Sequence, residues 1–180
     1  LYWHMHQPDY CDHLTDEVVL PWVYLHAIKD YTDMAYHLEA NPAARATFNF
    51  VPVLLDQLEL YGRQFAAGKV TDPLLSLLTL ENPASLTEEQ RTLIINSCFR
   101  SNHTKMIEPF PHYHHLYEIF NQLEKHSEDS LNYLSSQFMM DLLMWYHITW
   151  TGESVRREYE LVARLMTKGS QFDASDRREL

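Results

Sequence analysis

Glycine, cysteine and basic side chains are all scarce in this chain, and each shortage removes a class of function. Four glycines in 180 residues leave little capacity for a loop that cradles phosphate, and neither GxGxxG nor GxxxxGK[ST] occurs. Two cysteines, Cys11 and Cys98, cannot frame a disulfide scaffold; they suit thiols in a reducing compartment, and the cytoplasm is the expected location. Fourteen Lys and Arg stand against 25 Asp and Glu, a formal net charge of −11, so no nucleic acid and no anionic membrane is expected as partner. A neutral or cationic ligand suits that field better. No apolar run approaches the roughly 20 residues that a membrane span requires. What is present is core material: 46% of residues are hydrophobic and 13% aromatic, enough for one domain or a large part of one.

The first ten residues, LYWHMHQPDY, read as a strand. Side chains alternate across a strand, so Tyr2, His4 and His6 share one face while Leu1, Trp3 and Met5 share the other. Pro8 cannot donate to a ladder, so the strand is expected to end near Gln7 with His6 at its C-terminal end. The segment LPWVYLHAIKDYTDMAYHLEAN then reads as one amphipathic helix with Pro21 in its first turn. Its expected core stripe is Leu20, Val23, Tyr24, Ala27, Tyr31, Met34, Ala35 and Leu38, with His26, Lys29, Asp30, Asp33 and His37 on a solvated side. ATFNFVP is a second β-prone run, and Pro52 opens a helix whose apolar side holds Leu54, Leu55, Leu58, Tyr61 and Phe65 and which stops near Gly68. Strand, helix, strand, helix is the pattern of a parallel βαβ unit. From Thr71 onward only helices are expected, at about 72–80, 87–107, 112–126, 130–149 and 153–167, with a helix start at DASDRREL capped by Ser175. Two parallel strands do not make a stable sheet by themselves, so the visible sheet is incomplete.

Several clusters invite chemical readings. His4 and His6 have the spacing of strand-borne metal ligands, of two sugar-contacting groups, or of two hydrogen-bonded structural histidines. Their place at the end of a first strand favours function, because sites in β/α folds collect there. HYHHLYE puts His114 and Glu118 one helical turn apart, a spacing common on exposed helix ends. Cys11 and His13 specify no nucleophile–base geometry. FMMDLLMWYHITWTG is apolar almost all round and therefore buried; its lone acid, Asp141, reads as a hydrogen-bonded structural carboxylate, and Trp145 and Trp150 as core.

WHMHQP, LPWVYLHAIKDYTDMA and TFNFVPVLLDQL, in that order, resemble the N-terminal part of the glycoside hydrolase family 57 catalytic domain, with His6-Gln7-Pro8 as its His-Gln-Pro element. MIEPFPHYHHLYE, QFMMDLLMWYHITWTGE and LMTKGSQFDASD are similar to the helical insertion of its amylase and amylopullulanase-like members. The resemblance implies an α/β fold, the N-terminal portion of a seven-stranded β/α barrel. Residues 1–70 would form its first two β/α units and residues 71–180 a helical insertion region. It also implies retaining cleavage or transfer of α-glucan by a Glu nucleophile and an Asp acid/base. Both of these lie in later family regions, so this chain is expected to be a fragment, with the remainder of the same polypeptide as a partner. No residue here is assigned a catalytic role, and neither a metal nor a cofactor is implied. His4, His6, Gln7, Trp22, His26 and Asn49 are the expected substrate-binding residues.

Two readings follow. One is a fragment of an α-glucan hydrolase for α-1,4 and possible α-1,6 bonds, or of a 4-α-glucanotransferase or branching enzyme. The other is a noncatalytic helical or metal-binding interaction module. On the first reading the chain by itself lacks both members of the retaining pair and forms no glycosyl-enzyme intermediate. Purified alone, it is expected to release no reducing sugar from starch; release that survives removal of contaminating amylases overturns this.

Overall fold

The computed structural model describes residues 1–127 and 129–180. They form two compact units, Leu1–Leu77 with Thr151–Glu158, and Leu78–Trp150 with Tyr159–Leu180. In the first, β1 (Tyr2–Met5) is followed by a hairpin of β2 (Cys11–Asp12) and β3 (Glu17–Val18). α1 (Trp22–His26) runs through a π-helical turn, Ala27–Tyr31, into α2 (Thr32–Ala40); β4 (Thr47–Phe50) and α3 (Pro52–Ala66) complete the run. β1 and β4 pair in parallel, Tyr2 opposite Thr47 and Met5 opposite Phe50. This is a mixed, mainly helical α/β arrangement around a two-stranded parallel sheet.

β1 stops at Met5, before the expected end near Gln7. The last ladder bond runs from Val51 N to Met5 O at 3.2 Å. Pro52 comes next, with no N–H to offer, and it starts α3, so His6 has no strand to pair with. The β2–β3 hairpin was not anticipated. It is nucleated by short side-chain bonds: Asp12 accepts from Leu14 N at 2.8 Å, and Asp16 takes a left-handed backbone, φ 54°.

The expected single helix from Leu20 is interrupted by the π-turn, which slips the buried face. Val23, Tyr24 and Leu25 are buried, whereas Ala27, Tyr31 and Met34 are only half-buried and Leu20 is 44% exposed. α3 also departs from expectation. Leu54 and Tyr61 are buried, but Leu55 and Phe65 are exposed, and Gln57 and Gln64 take the inner positions. Their amides bond to backbone of neighbouring segments and of the helix itself. Gln57 accepts from Tyr10 N and donates to Pro8 O and Val53 O; Gln64 accepts from Thr71 N at 2.9 Å.

After α3 a 3₁₀ turn, Leu75–Thr79, stands where a helix at 72–80 was expected. α4 (Glu88–Cys98) starts at a Thr87–Gln90 capping box and ends well short of residue 107, because Asn102 starts a separate turn by accepting from Lys105 N. α5 (Pro111–His126) follows expectation, whereas the helix expected from residue 130 begins as a 3₁₀ turn, Ser130–Tyr133, and α6 proper (Ser136–Trp150) starts six residues later. The 153–167 helix divides at Tyr159, whose backbone is extended, into α7 (Glu153–Glu158) and α8 (Glu160–Lys168). α9 (Ala174–Glu179) is capped by Asp173 rather than Ser175, since the Asp173 carboxylate reaches both Ser175 N and Asp176 N.

In the second unit α6 is the core, buried from Phe138 to Thr149. The Trp145 indole donates to Gly169 O at 2.7 Å, and His112 stacks on its ring. Gly169 has φ 73°, and a Cβ there would run into the His112 ring. Asp141 is structural: it accepts from Gln171 N at 3.0 Å, Phe172 N at 2.9 Å and Gln137 Nε2 at 2.8 Å.

His147 lies on the same helix, 3% exposed. Burial lowers its pKa from 6.5 to about 4, although its Nδ1–H bond to Leu143 O works the other way. The unfolded chain therefore binds the proton first as pH falls, and folding loses free energy between pH 6.5 and 4. The loss is on the order of 3 kcal/mol. Urea titrations across that window should show it, and His147→Gln should flatten this part of the acid limb; equal slopes in the two proteins would count against it.

Candidate functional site

The carboxyl ends of β1 and β4 bring three of the expected residues together. His4 and Asn49 are register partners, and His4 Nδ1 lies 2.6 Å from Asn49 Oδ1. An amide oxygen only accepts, so Nδ1 carries the hydrogen and Nε2 becomes an acceptor. His6 stacks on His4, ring centroids 5.9 Å apart. All three side chains are exposed, whereas Met5 between them is buried, as strand alternation requires. The face thus presents an imidazole acceptor beside the Asn49 amide, which has N–H groups to give.

Gln7, next in sequence, is bonded to a pair of phenols. Tyr10 Oη donates to Gln7 Oε1 at 3.2 Å, and Gln7 Nε2 donates to Tyr31 Oη at 3.4 Å. Trp22 opens α1, half-buried, one turn before His26. His26 Nδ1 donates to Asp30 Oδ2 at 2.5 Å, and its ring stacks with Tyr31. Burial would raise the Asp30 pKa, but the bonds from His26 and Lys29 outweigh it and hold the carboxyl below its ordinary range. Sequence reading assigned Tyr31 to the core and Asp30 to a solvated face; the four-residue step from His26 to Asp30 was the available signal.

The π-turn organises this cluster and also joins a distant segment. Thr32 N bonds to Lys29 O, and the Ile28 carbonyl accepts from Gly152 N at 2.8 Å. One turn on, Asp33 caps α7, accepting from Glu153 N at 2.9 Å, Ser154 N at 3.0 Å and Ser154 Oγ at 2.5 Å. Asp33 is therefore an internal cap and not a solvated charge. Gly152 is required there, because a Cβ would strike the Asp33 carboxylate.

A cleft of roughly 270 Å³ opens between residues 9–16 and α3, lined by Asp9, Cys11, His13, Asp56, Gln57 and Arg63 among others. His13 Nε2 lies 2.6 Å from Asp9 Oδ2, a bond that lowers the pKa of Asp9 and raises that of His13. The Cys11 thiol is pushed up, first by burial and then by Asp9 and Asp16, so it is no thiolate nucleophile. None of the six expected binding residues lines this cleft. Among the described residues no group of three or more His, Cys, Asp or Glu is placed to hold a metal ion, and no helix is long and apolar enough to cross a membrane.

The model of glycosyl hydrolase family 57 matches residues 1–174 of the 180. The chain belongs to this family. Membership indicates a glycosidase-type activity. No curated protein and no solved structure matched the chain.

The tautomer of His4 in this family 57 chain is directly measurable. Long-range ¹⁵N–¹H spectra should show His4 protonated at Nδ1, and Asn49→Ala should release it towards the Nε2–H form usual in water. An Nε2–H pattern in the unaltered protein would break the His4–Asn49 pairing.

Proposed function

We propose that this chain is the substrate-holding N-terminal part of a retaining glycosidase acting on the α-1,4 bonds of α-glucans. The observation that carries the reading is the pairing of His4 with Asn49 at the carboxyl ends of two parallel strands. It sets an acceptor nitrogen beside amide donors on an exposed surface. A sugar hydroxyl both donates and accepts, so neighbouring hydroxyls match such a pair. The net charge of −11 suits a neutral glucan.

In this reading β1 and β4 are the first two strands of a seven-stranded β/α barrel, and residues 71–180 are an insertion. His4, His6 and Asn49 face the sugar directly. Trp22 offers an aromatic surface and His26 a second imidazole at the start of the following helices. The Glu nucleophile and Asp acid/base come from sequence outside these 180 residues. Hydrolase is favoured over 4-α-glucanotransferase or branching enzyme, the acceptor being decided by loops that surround the catalytic pair. The cytoplasm is the proposed location.

In the full enzyme, His6→Ala should lower kcat rather than only raise KM, if its hydrogen bond strengthens at the transition state. A lost bond of this type is worth about 1–3 kcal/mol, or roughly tenfold to a hundredfold in rate. Activity should be indifferent to chelators. Wild-type kinetics in a stably folded His6→Ala protein removes His6 from the site, and chelator-sensitive activity restored by zinc gives it a metal-binding role instead.

A further inference from the structure

We propose that Tyr31 contacts the sugar through its phenol proton and that Gln7 is a positioning residue that aims this proton. The assignment rests on the α-glucan reading above and concerns a side chain outside the set that sequence nominated. Its basis is the polarity of two hydrogen bonds. Gln7 Oε1 only accepts, so Tyr10 Oη donates to it at 3.2 Å. Gln7 Nε2 only donates, so Tyr31 Oη accepts from it at 3.4 Å. The proton of Tyr10 is thus directed inward, and the proton of Tyr31 is directed away from Gln7.

The surroundings keep that polarity fixed. A phenol is protonated at neutral pH, so Tyr10 is available as the donor to Gln7. Tyr31 is half-buried, and its ring is held against His26 at a centroid distance of 6.4 Å. It closes the π-turn, a local widening of the helix of the kind often found at functional sites. Gln7 follows His6 directly in sequence, so the oriented donor belongs to the segment that leaves the His4–His6 face. Where that face offers the His4 acceptor, Tyr31 adds a donor. Gln7 has both ends of its amide engaged by phenols and acts through Tyr31 rather than on the sugar.

Maltohexaose binding by calorimetry, with kcat and KM on the same sugar, tests this in the full enzyme. Tyr31→Phe should weaken binding about fivefold to tenfold with little change in Tm, the loss of one hydrogen bond. Gln7→Glu separates positioning from contact or packing. At pH 7 its carboxylate accepts from both phenols, pulls the Tyr31 proton inward, and should reproduce the Tyr31→Phe affinity. As pH falls through the carboxyl range the protonated acid donates again, and affinity should recover. In a Tyr31→Phe background, Gln7→Glu should add no further loss. Unchanged binding and kinetics in Tyr31→Phe, with wild-type binding intact, overturns the Tyr31 assignment alone. A pH-independent Gln7→Glu loss that adds to that of Tyr31→Phe makes Gln7 the sugar contact and overturns the proposal. If the wild-type enzyme binds no maltohexaose, the α-glucan reading falls and this assignment falls with it.

Discussion

The π-turn at Ala27–Tyr31 is the constraint on which the first unit depends. A regular α-helix from Trp22 to Ala40 would commit the Ile28 carbonyl to Thr32 N. Here Thr32 N turns to Lys29 O and Ile28 O accepts from Gly152 N instead. The same stretch carries the His26–Asp30 pair and ends on Tyr31, which accepts from Gln7. One irregular turn therefore serves the site on one side and anchors the returning chain on another. Its cost in helix regularity is offset by the Asp33 carboxylate, which satisfies three donors of the 153–154 segment.

The chemistry of the site is carried by the direction of hydrogen bonds rather than by shifted acidities. Asn49 decides which nitrogen of His4 holds its hydrogen, as Asp30 does for His26 and Gln7 for the Tyr31 oxygen. Each acting group has a partner that can play only one role. Such preorganisation suits recognition of neutral hydroxyls, where the sign of every bond matters and no net charge is available to steer the ligand. The acidic cleft beside α3 differs: its Asp9–His13 bond becomes an exposed ion pair when His13 is protonated, and the cleft lies apart from the histidine face.

Pattern reading found what periodicity and proline encode. Both parallel strands, the start of α3 at Pro52, α5 and the buried α6 were legible, as was the structural role of Asp141. The π-turn was not, because a single extra residue in a helical turn leaves no mark on composition and only slips the apolar stripe beyond it, which misplaced Tyr31; Leu25, ahead of the turn, was missed because it lies off the stripe of Val23, Tyr24 and Ala27. The buried glutamines of α3 were illegible for a related reason. Hydrophobic pattern assigns Leu55 and Phe65 inward, while the backbone groups that need Gln57 and Gln64 come from residues 8–16 and 71, far along the chain. His4, His6 and Asn49 were recoverable from strand alternation and from the family resemblance, but their pairing needed the strand register.

The capping of α7 by Asp33 spans 120 residues of sequence. At a synthesis rate of roughly 5–20 residues per second, Asp33 emerges on the order of ten seconds before Ser154 exists. Throughout that interval the donors of Gly152, Glu153 and Ser154 that the Ile28 carbonyl and the Asp33 carboxylate take in the folded chain do not yet exist. Residues 78–150 must be made before the last piece of the first unit arrives. This contact of very long range is therefore a late event in folding, slow to close and exposed to competing associations while it waits.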